Sequence, residues 1–447
     1  MEYEYVDTDQ IDIEDTKILE LGEPKISSPF ALSDLVNRDA RFVPEAKRVL
    51  IEIDPDKIMK LLKEGKQPAS FEIAGPRKKI YFDPSKLRCA IVTCGGLCPG
   101  LNDIIRAIVL ELYYGYGVNK VYGIKYGLQG FIPSYRYSFV DLSPKTVVSI
   151  HERGGTILGS SRGEQDIDEI IDCLERESIG IVFMIGGDGT IKAASKIADS
   201  ILAKGLKISV VAIPKTIDND IYLVSKSFGF DTAVDIATKA ITAAHNEAEG
   251  YPNGVGLIKL MGRDSGFIAA TAALSQMDVN FVLIPEVDFD LEGPNGFLAT
   301  LEQRLNHRKH AVIIVAEGAG QKFFEGAREK DPSGNIKHHD IGLFLKDKIN
   351  SYFKGKGMEL NLKYIDPSYM VRSLPANAND HVFCGFLGRD AVHAGIAGKT
   401  KLLIGYCNEQ VVHVPLELSA GKRKIISPNS KLWHSVLEAT GQVLMKN

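Results

Sequence analysis

The residues best suited to chemistry follow an apolar run, Ile208–Ile213, whose length and composition predict a buried parallel strand. Pro214 ends that strand, and Lys215–Asp220 then brings together a lysine, a threonine and two carboxylates. In open α/β sheets, ligands bind just outside the carboxyl ends of strands, so a reaction site is expected here. An extended segment would point Asp218 and Asp220 the same way, one to bind a metal and the other to take a proton. The competing interpretation is an Asx-turn that closes the strand.

Two earlier strands are also predicted to end in glycine-rich loops that lead into helices. Cys89–Cys94 precedes Gly95–Gly100, and Ile181–Ile185 precedes Gly186–Thr190. A strand, a glycine loop and a helix N-terminus can together cradle phosphate on backbone N–H groups. In the second loop, Asp188 lies between glycines, where it could bind Mg²⁺ beside phosphates or only cap the helix. Neither loop has the GxGxxG or GK[ST] pattern of a dinucleotide-binding or Walker loop.

Further predicted strands also deliver polar residues at their carboxyl ends. Val255–Leu260 leads into Met261–Gly266, Val279–Ile284 ends at Glu286, and Ala311–Ala316 ends at Glu317–Gly318. These residues are expected where a ligand would bind, because ligands bind outside the carboxyl ends of strands in open α/β sheets. Gly154–Gly163 is a flexible loop with an arginine near its end, which taken alone would be a surface turn, and Tyr364–Arg372 follows the predicted helix Ile341–Phe353.

The elements that must position these segments alternate between strand and helix from Cys89 onward, which indicates an α/β fold. Helices are predicted from Leu101 to Leu112, from Asp231 to Glu249, from Ile341 to Phe353 and from Asp380 to Ala397, with a last helix around Trp433. Residues Gln321–Lys337 are polar and contain Gly and Pro, so we expect a surface insertion there.

Composition narrows the class of protein. The chain has 447 residues, 45% of them hydrophobic, and a net charge of -4, which suits a soluble protein with two or three domains. The balance of charge argues against a general nucleic-acid or membrane surface. Cys94 and Cys98 could begin a metal-binding motif, but no second pair of cysteines or histidines completes it. The six cysteines therefore suit reduced thiols in a cytosol. With no signal peptide or membrane-spanning stretch, a cytoplasmic location is expected.

Taken together, the motifs resemble those of the 6-phosphofructokinase superfamily, over roughly residues 86 to 447. In the family's order they are GGLCPGLN (Gly95–Asn102), GGTILGSSRG (Gly154–Gly163), GGDGT (Gly186–Thr190), PKTIDND (Pro214–Asp220), MGRDSG (Met261–Gly266) and AEG (Ala316–Gly318). The extended N-terminus and YIDPSYMVR (Tyr364–Arg372) look most like the long ATP-using branch of kinetoplastids and plants. GGDGT alone would also suit an NAD kinase, which the other motifs do not fit. A non-catalytic sugar-phosphate sensor is disfavoured because Asp188, Asp218 and Arg263 are all retained.

The resemblance implies Mg²⁺-assisted phosphoryl transfer to the 1-hydroxyl of fructose 6-phosphate, with Asp218 as the base. Asp188 and Asp220 would hold Mg²⁺, and Lys215, Thr216 and Arg263 would act on the transferring group. The implied ATP-binding residues are Gly95, Gly96, Arg162, Gly187, Asp188, Gly189 and Thr190. The implied sugar-phosphate residues are Thr216, Asp218, Met261, Gly262, Arg263, Glu317, Tyr369 and Arg372. Asn253 and Lys363 are included because they lie near two positions where simpler bacterial members use arginines from a neighbouring subunit.

Two positions give opposite indications about the phosphoryl donor. Pyrophosphate-using relatives carry aspartate where this chain has Gly189, and the aspartate would exclude the α-phosphate of ATP by bulk and charge. Lys215, however, resembles the lysine of pyrophosphate users. Because exclusion acts directly on ATP while a lysine only adds a phosphate partner, the sequence favours ATP, with pyrophosphate as the alternative.

The resemblance also implies two three-layer Rossmann-like domains with mostly parallel sheets and the active site in the cleft between them. The expected nucleotide-binding domain spans 86–222 and 374–422, and the sugar-phosphate domain spans 223–373 and 423–447. Residues 1–85 are expected to form an N-terminal extension that packs on this body or on a neighbouring subunit. A homotetramer is implied, with a homodimer as the alternative.

Overall fold

The computed structural model describes residues 11–32, 42–324 and 337–447. Its strands are β1 (Leu19–Glu20), β2 (Ile26–Ser27), β3 (Arg48–Leu50), β4 (Ser70–Ile73), β5 (Lys79–Ile80), β6 (Arg88–Thr93), β7 (Lys120–Ile124), β8 (Val140–Leu142), β9 (Ile181–Gly186), β10 (Ser209–Pro214), β11 (Gly254–Leu260), β12 (Phe281–Leu283), β13 (His310–Ala316), β14 (Asn361–Ile365), β15 (Lys399–Thr400), β16 (Leu402–Cys407) and β17 (Gln410–Pro415). Its helices are α1 (Pro55–Lys63), α2 (Leu101–Leu110), α3 (Ile167–Arg176), α4 (Asp188–Ala203), α5 (Phe230–Glu249), α6 (Phe267–Gln276), α7 (Phe297–Arg308), α8 (Ile341–Gly355), α9 (Met370–Ser373), α10 (Ala378–Ile396), α11 (Leu416–Ser419) and α12 (Lys431–Thr440).

Two sheets organise the described residues. The larger has the order β3-β4-β17-β16-β10-β9-β6-β7-β8, and the smaller has the order β12-β13-β11-β14. Strands β16, β10, β9, β6 and β7 are parallel to their neighbours within that run, and the smaller sheet is parallel throughout. The predicted α/β class with mostly parallel sheets is therefore confirmed.

The strands that lead to the predicted motifs lie in the core. Every residue of β9 and of β10 is buried, as are all of β11 but Lys259 and all of β13 but His310. Helices cover both faces of such a parallel sheet, so its strands read as continuous apolar runs rather than as alternating ones. This is why the apolar runs predicted these strands to within one or two residues.

The N-terminal region, residues 42–85 in particular, adds to the large sheet instead of standing apart. β4 pairs antiparallel with β17, and β3 pairs antiparallel with β4. A buried cation secures the junction, because Lys399 Nζ lies 3.0 Å from Glu20 Oε1 and 3.0 Å from Glu72 Oε1. Residues 1–10 and 33–41 of the expected extension lie outside the described residues.

The expectation of a surface insertion from Gln321 to Lys337 is wrong at its first residue. Gln321 is buried, and its side-chain Nε2 donates to the carbonyls of Glu317 and His339 at 3.0 and 3.1 Å. Its polar side chain is buried because it forms hydrogen bonds with backbone groups inside the fold. The polar character of the residue in the sequence does not reveal such burial. Residues 325–336 of that insertion lie outside the described residues.

Among the helices of the described residues, none is both long enough and apolar enough to cross a membrane.

Candidate active site

Two adjoining cavities lie where the carboxyl ends of β6, β9 and β10 meet that of β11. The first has a volume of about 370 Å³ and the second about 180 Å³. Both are bordered by Gly96, Arg162, Gly187, Asp188 and Lys215, so they form one continuous site. The segments that follow these four strands therefore converge on one site.

Most of the predicted site residues border one of these cavities. The first is lined by Gly95, Gly96, Arg162, Gly187, Asp188, Gly189, Thr190, Lys215 and Arg263, and the second adds Thr216, Asp218, Asp220, Met261 and Arg372. The nucleotide residues thus surround the larger space, and the reacting carboxylates surround the smaller one. That division suits a donor site that opens onto a transfer site.

The loops after β6 and β9 shape the larger cavity. Gly95 has φ +82, a left-handed conformation that favours glycine. The space where a side chain on Gly96 would lie is bordered by Arg162 Nη2 at 3.5 Å and Arg372 Nη1 at 3.9 Å. Two guanidinium groups therefore face the same glycine, as a phosphate-bearing ligand requires.

Gly189, at the second position of α4, faces open space. A Cβ placed on it would meet no heavy atom within 4 Å. It also lies in the first turn of α4, where unpaired backbone N–H groups and the helix dipole favour an anion. The free volume at Gly189 is thus available to a phosphate of the ligand.

Lys215 is buried beneath the glycine loop. Its Nζ donates to the carbonyl of Gly96 at 2.8 Å. Burial lowers the pKa of Lys215, although Asp218 opposes that shift. A lysine held this way can turn from the carbonyl to a phosphate that enters the cavity.

The predicted extended conformation of the Asp-Asn-Asp segment is wrong. Asn219 has φ +55, so the chain turns between the two carboxylates. Asn219 is tied down because its Oδ1 accepts a hydrogen bond from the Ser227 N–H at 3.0 Å. The turn gives Asp218 and Asp220 different surroundings, although both still border the smaller cavity.

Asp218 is buried with an unsatisfied oxygen. Its Oδ1 has no hydrogen-bond partner among the described residues. Burial raises the pKa of Asp218 well above its ordinary value, and the charges of Asp220 and Glu317 raise it further. A buried carboxylate with a free oxygen and a raised pKa is suited to accept a proton.

Asp220 and Asp188 are held in place by other groups. Asp220 Oδ1 accepts from the Thr216 hydroxyl at 3.0 Å, and its Oδ2 lies 2.7 Å from Arg423 Nη1. Asp188 Oδ2 lies 2.7 Å from Lys192 Nζ. Asp188, Asp218 and Asp220 border one cavity with hard oxygen donors and one free carboxylate oxygen, which is a donor set that fits Mg²⁺.

Sequence reasoning missed Arg423, which borders both cavities. Its Nη1 lies 2.7 Å from Asp220 Oδ2 and 2.7 Å from Asp264 Oδ2, so one cation joins the loops that follow β10 and β11. The Gly421 N–H, two residues earlier, donates to Asp188 Oδ1 at 3.1 Å. The available signal was the basic run Lys422–Lys424 after a glycine in an acidic chain.

Three of the predicted sugar-phosphate residues, Gly262, Glu317 and Tyr369, border neither cavity. Gly262 has φ +134, and a Cβ there would lie 2.5 Å from the Ser265 carbonyl oxygen, so glycine is required. Burial raises the pKa of Glu317, while the positive charges of Arg263 and Arg372 act against that shift. Tyr369 is 75% exposed, and its ring lies 4.9 Å from the Arg372 guanidinium.

Asn253 and Lys363 do not reach these cavities in their own chain. Asn253 precedes β11, at the end of the smaller sheet opposite Arg263, and its Nδ2 donates to the Glu359 carbonyl at 3.1 Å. Lys363 Nζ lies 4.0 Å from a Glu247 carboxylate oxygen and 5.3 Å from the centre of the Tyr251 ring. Any contact of these two residues with a sugar phosphate would have to come from a second copy of the chain.

Comparison with known proteins defines the class to which this fold and site belong. The family model described as Phosphofructokinase matches residues 88–395, and the chain belongs to the phosphofructokinase family. It is 50% identical over 443 residues to the ATP-dependent 6-phosphofructokinase of Borreliella burgdorferi, covering 97% of this chain and 98% of that one.

Further relatives agree with the resemblance to the long ATP-using branch. The chain is 45% identical to the ATP-dependent 6-phosphofructokinase of Amycolatopsis methanolica, covering 96% of this chain and 95% of that one. It is 41% identical to the ATP-dependent 6-phosphofructokinase of Trypanosoma cruzi, covering 89% and 84%. Among solved structures, the pyrophosphate-dependent phosphofructokinase of Marinobacter aquaeolei covers 80% of this chain and 92% of its own, with a TM-score of 0.65 and 20% identity, and this likeness shows the fold alone.

Proposed function

We propose that this protein is an ATP-dependent 6-phosphofructokinase, which transfers the γ-phosphoryl group of ATP to the 1-hydroxyl of D-fructose 6-phosphate. The observation that carries the proposal is Asp218. Asp218 has a buried oxygen with no hydrogen-bond partner among the described residues, and the residue borders the smaller cavity, which adjoins the glycine-lined donor space. The relatives of 45–50% identity are ATP-dependent 6-phosphofructokinases, which supports the same activity.

In the proposed reaction, the substrate's 1-hydroxyl oxygen attacks the γ-phosphorus of ATP. The new O–P bond forms as the bond from the γ-phosphorus to the bridging oxygen breaks, the hydroxyl proton passes to Asp218, and ADP leaves. The raised pKa of Asp218 suits this role, because a stronger base takes a hydroxyl proton more readily. Arg162 and Arg263, which border the donor cavity, would stabilise charge on the transferring group.

Asp188 and Asp220 are the residues that would hold Mg²⁺. When bound, the ion would neutralise charge on the donor's phosphates and help to align them. The charges of these carboxylates are balanced by Lys192 and Arg423. Glu317 and Arg372 would bind the hydroxyls and phosphate of the sugar.

Gly189 supports ATP as the donor, because the open space beside it can take the α-phosphate. Lys215 supports the alternative donor, pyrophosphate, since a buried lysine adds a phosphate partner. Exclusion of ATP by an aspartate is the stronger effect, and this chain lacks that aspartate.

The deciding experiment is a coupled assay of fructose 1,6-bisphosphate formation with Mg²⁺ and either ATP or pyrophosphate. We expect a higher kcat/KM with ATP. A preference for pyrophosphate would overturn the donor assignment, and the absence of product with both donors would overturn the activity.

Three broader proposals go with this activity. The two domains divide at residues 86–222 with 374–422 and at 223–373 with 423–447. The active assembly is a homotetramer, and the protein works in the cytoplasm. The division into two domains is supported by the sheets, because the donor residues follow strands of the larger sheet while Arg263 follows a strand of the smaller one.

A further inference from the structure

Away from the active site, two histidines and a carboxylate meet where α5 ends and β13 begins. His245 and Glu249 lie four residues apart on α5, which places them on one face of the helix. His310 is the first residue of β13, and pairing of β13 with β11 brings it beside that face. The candidate ligand atoms of all three residues lie within 4.8 Å of one another.

The separations suit ligands of one ion better than direct hydrogen bonds. His245 Nε2 lies 3.5 Å from Glu249 Oε2, and His310 Nε2 lies 4.0 Å from Glu249 Oε1. Both distances exceed the usual length of such hydrogen bonds. Ligand atoms bound at about 2.0–2.1 Å around a tetrahedral ion are about 3.3 Å apart. Small side-chain movements would therefore bring the three atoms to one ion.

The orientation of the rings agrees with this geometry. His310 Nδ1 lies 3.2 Å from the Arg308 carbonyl oxygen. A ring that donates its Nδ1–H to a carbonyl presents Nε2 as a lone pair, which is the usual arrangement of a metal-bound histidine. Neither ring nitrogen of His245 forms a hydrogen bond within the described parts of the chain.

We propose that His245, Glu249 and His310 form a second metal site, selective for Zn²⁺ over Mg²⁺, with a fourth position open to water. Two imidazoles and one carboxylate favour zinc, whereas magnesium prefers oxygen ligands. The site lies at the N-terminal end of β13, while Glu317 follows its C-terminal end, roughly 20 Å away at strand spacing. The ion would tie α5 to β13 and stabilise the smaller sheet, without taking part in phosphoryl transfer.

The test is Zn²⁺ titration of metal-stripped full-length protein by calorimetry, with Mg²⁺ in excess to occupy the active-site carboxylates. Substitution of Co²⁺ then reports coordination geometry through its visible absorption. The variants are His245→Ala, His310→Ala and Glu249→Gln, and the last changes an exposed side chain, so that folding should be retained. His307→Ala is the matched control, because His307 is an exposed histidine at the end of the neighbouring helix α7.

We expect one Zn²⁺ per chain, a tetrahedral Co²⁺ spectrum, and affinity lower by roughly tenfold or more in the three variants but unchanged in His307→Ala. Zinc should raise the melting temperature of the wild type and of His307→Ala only. The proposal fails if the wild type does not bind micromolar Zn²⁺ or if Glu249→Gln and the histidine variants bind as the wild type does. Thiolate charge-transfer bands from Co²⁺ would place the ion at a cysteine and would also overturn it.

Discussion

At the scale of single residues, the site separates a proton acceptor from a set of fixed charges. Asp218 keeps one carboxylate oxygen free in a buried position, whereas Asp220 is held by Thr216 and Arg423. The left-handed Asn219 between them creates the difference. Two identical side chains with one residue between them thereby acquire separate roles.

Asp218→Asn keeps the shape of the side chain but removes its ability to take a proton. We expect kcat to fall by roughly 10²–10⁴, with a much smaller change in the KM for fructose 6-phosphate. Steady-state kinetics with each substrate varied would measure this. The control is Asp235→Asn, an exposed carboxylate on α5 that should leave both constants unchanged. Near-normal turnover of Asp218→Asn would assign the base to another group.

Gly189→Asp tests the choice of donor. The open space at this position lets the protein accept the new side chain, so any effect should fall on the ligand. The added carboxylate would repel the α-phosphate, and kcat/KM with ATP should fall sharply while activity with pyrophosphate survives or rises. Gly189→Asn, neutral and of similar size, separates charge from bulk. An unchanged ratio of the two efficiencies in Gly189→Asp would refute the exclusion argument.

Arg423→Ala would leave Asp220 and Asp264 as unpaired neighbours and remove a cation from the donor cavity. We expect kcat/KM for ATP to fall by roughly 10- to 10³-fold, by analogy with the loss of one group that stabilises transition-state charge. Arg423→Lys should restore part of the loss. Kinetics over a range of Mg²⁺ and ATP concentrations would measure these effects.

The matched control for Arg423 is Lys422→Ala. Lys422 is exposed, its Nζ lies 5.2 Å from the centre of the Tyr222 ring, and it borders neither cavity. Its removal should change kcat/KM by less than about twofold. Equal losses in the two variants would mean that the segment matters only for folding.

At the scale of elements, α10 carries a carboxyl group whose ionisation opposes folding. Burial raises the pKa of Asp390 to about 7, although Arg389 and Arg77 act in the opposite direction. A carboxyl with a raised pKa in the folded state is neutral there at acidic pH. Its contribution to stability is therefore lost as pH rises from about 4, the unfolded value, to about 7.

Asp390→Asn should remove that penalty and stabilise the protein above neutral pH, by about 1–3 kcal/mol after allowance for partial exposure of the side chain. The gain should disappear as pH falls below about 4, where the Asp390 carboxyl is neutral in both the folded and the unfolded state. Melting temperatures of wild type and variant across this range would measure it. A difference between the two proteins that does not change with pH would contradict the argument.

At the scale of the whole molecule, the site is expected to be completed by a second copy of the chain. Lys363 pairs in register with Gly256 near the start of β11, whereas Arg263 follows the end of that strand. A contact of Lys363 with the 6-phosphate therefore needs a neighbouring subunit. Lys363→Ala should then raise the KM for fructose 6-phosphate. At a low concentration of fructose 6-phosphate, Lys363→Ala and Asp218→Asn should both be nearly inactive.

Mixed assemblies of these two variants should regain activity. In a two-fold pair of unlike chains, one site combines a normal Asp218 with a normal Lys363 from its partner. Random pairing would restore about one quarter of wild-type activity, measured on the whole mixture of the co-expressed variants. If the mixture only sums its parents' activities, Lys363 does not act across subunits.

The sequence by itself determined the α/β class, the course of the buried strands and most of the cavity. Apolar runs predicted β9, β10, β11 and β13 because burial on both faces of a parallel sheet leaves no polar alternation. Proline and glycine marked the strand ends, and parallel strands must bring those ends to one edge. Local chemistry was therefore enough to place Asp188, Lys215 and Asp218 together.

Only the tertiary structure decided what depends on contacts between distant segments. Asn219 is left-handed, and its side chain accepts a hydrogen bond from the Ser227 N–H. Arg423 contacts Asp220 and Asp264, although it follows them in the chain by about 200 and about 160 residues. The pairing of β4 with β17 and the burial of Gln321 likewise depend on long-range partners. Such contacts leave no periodic signal in the sequence, because each partner's local pattern is compatible with several folds.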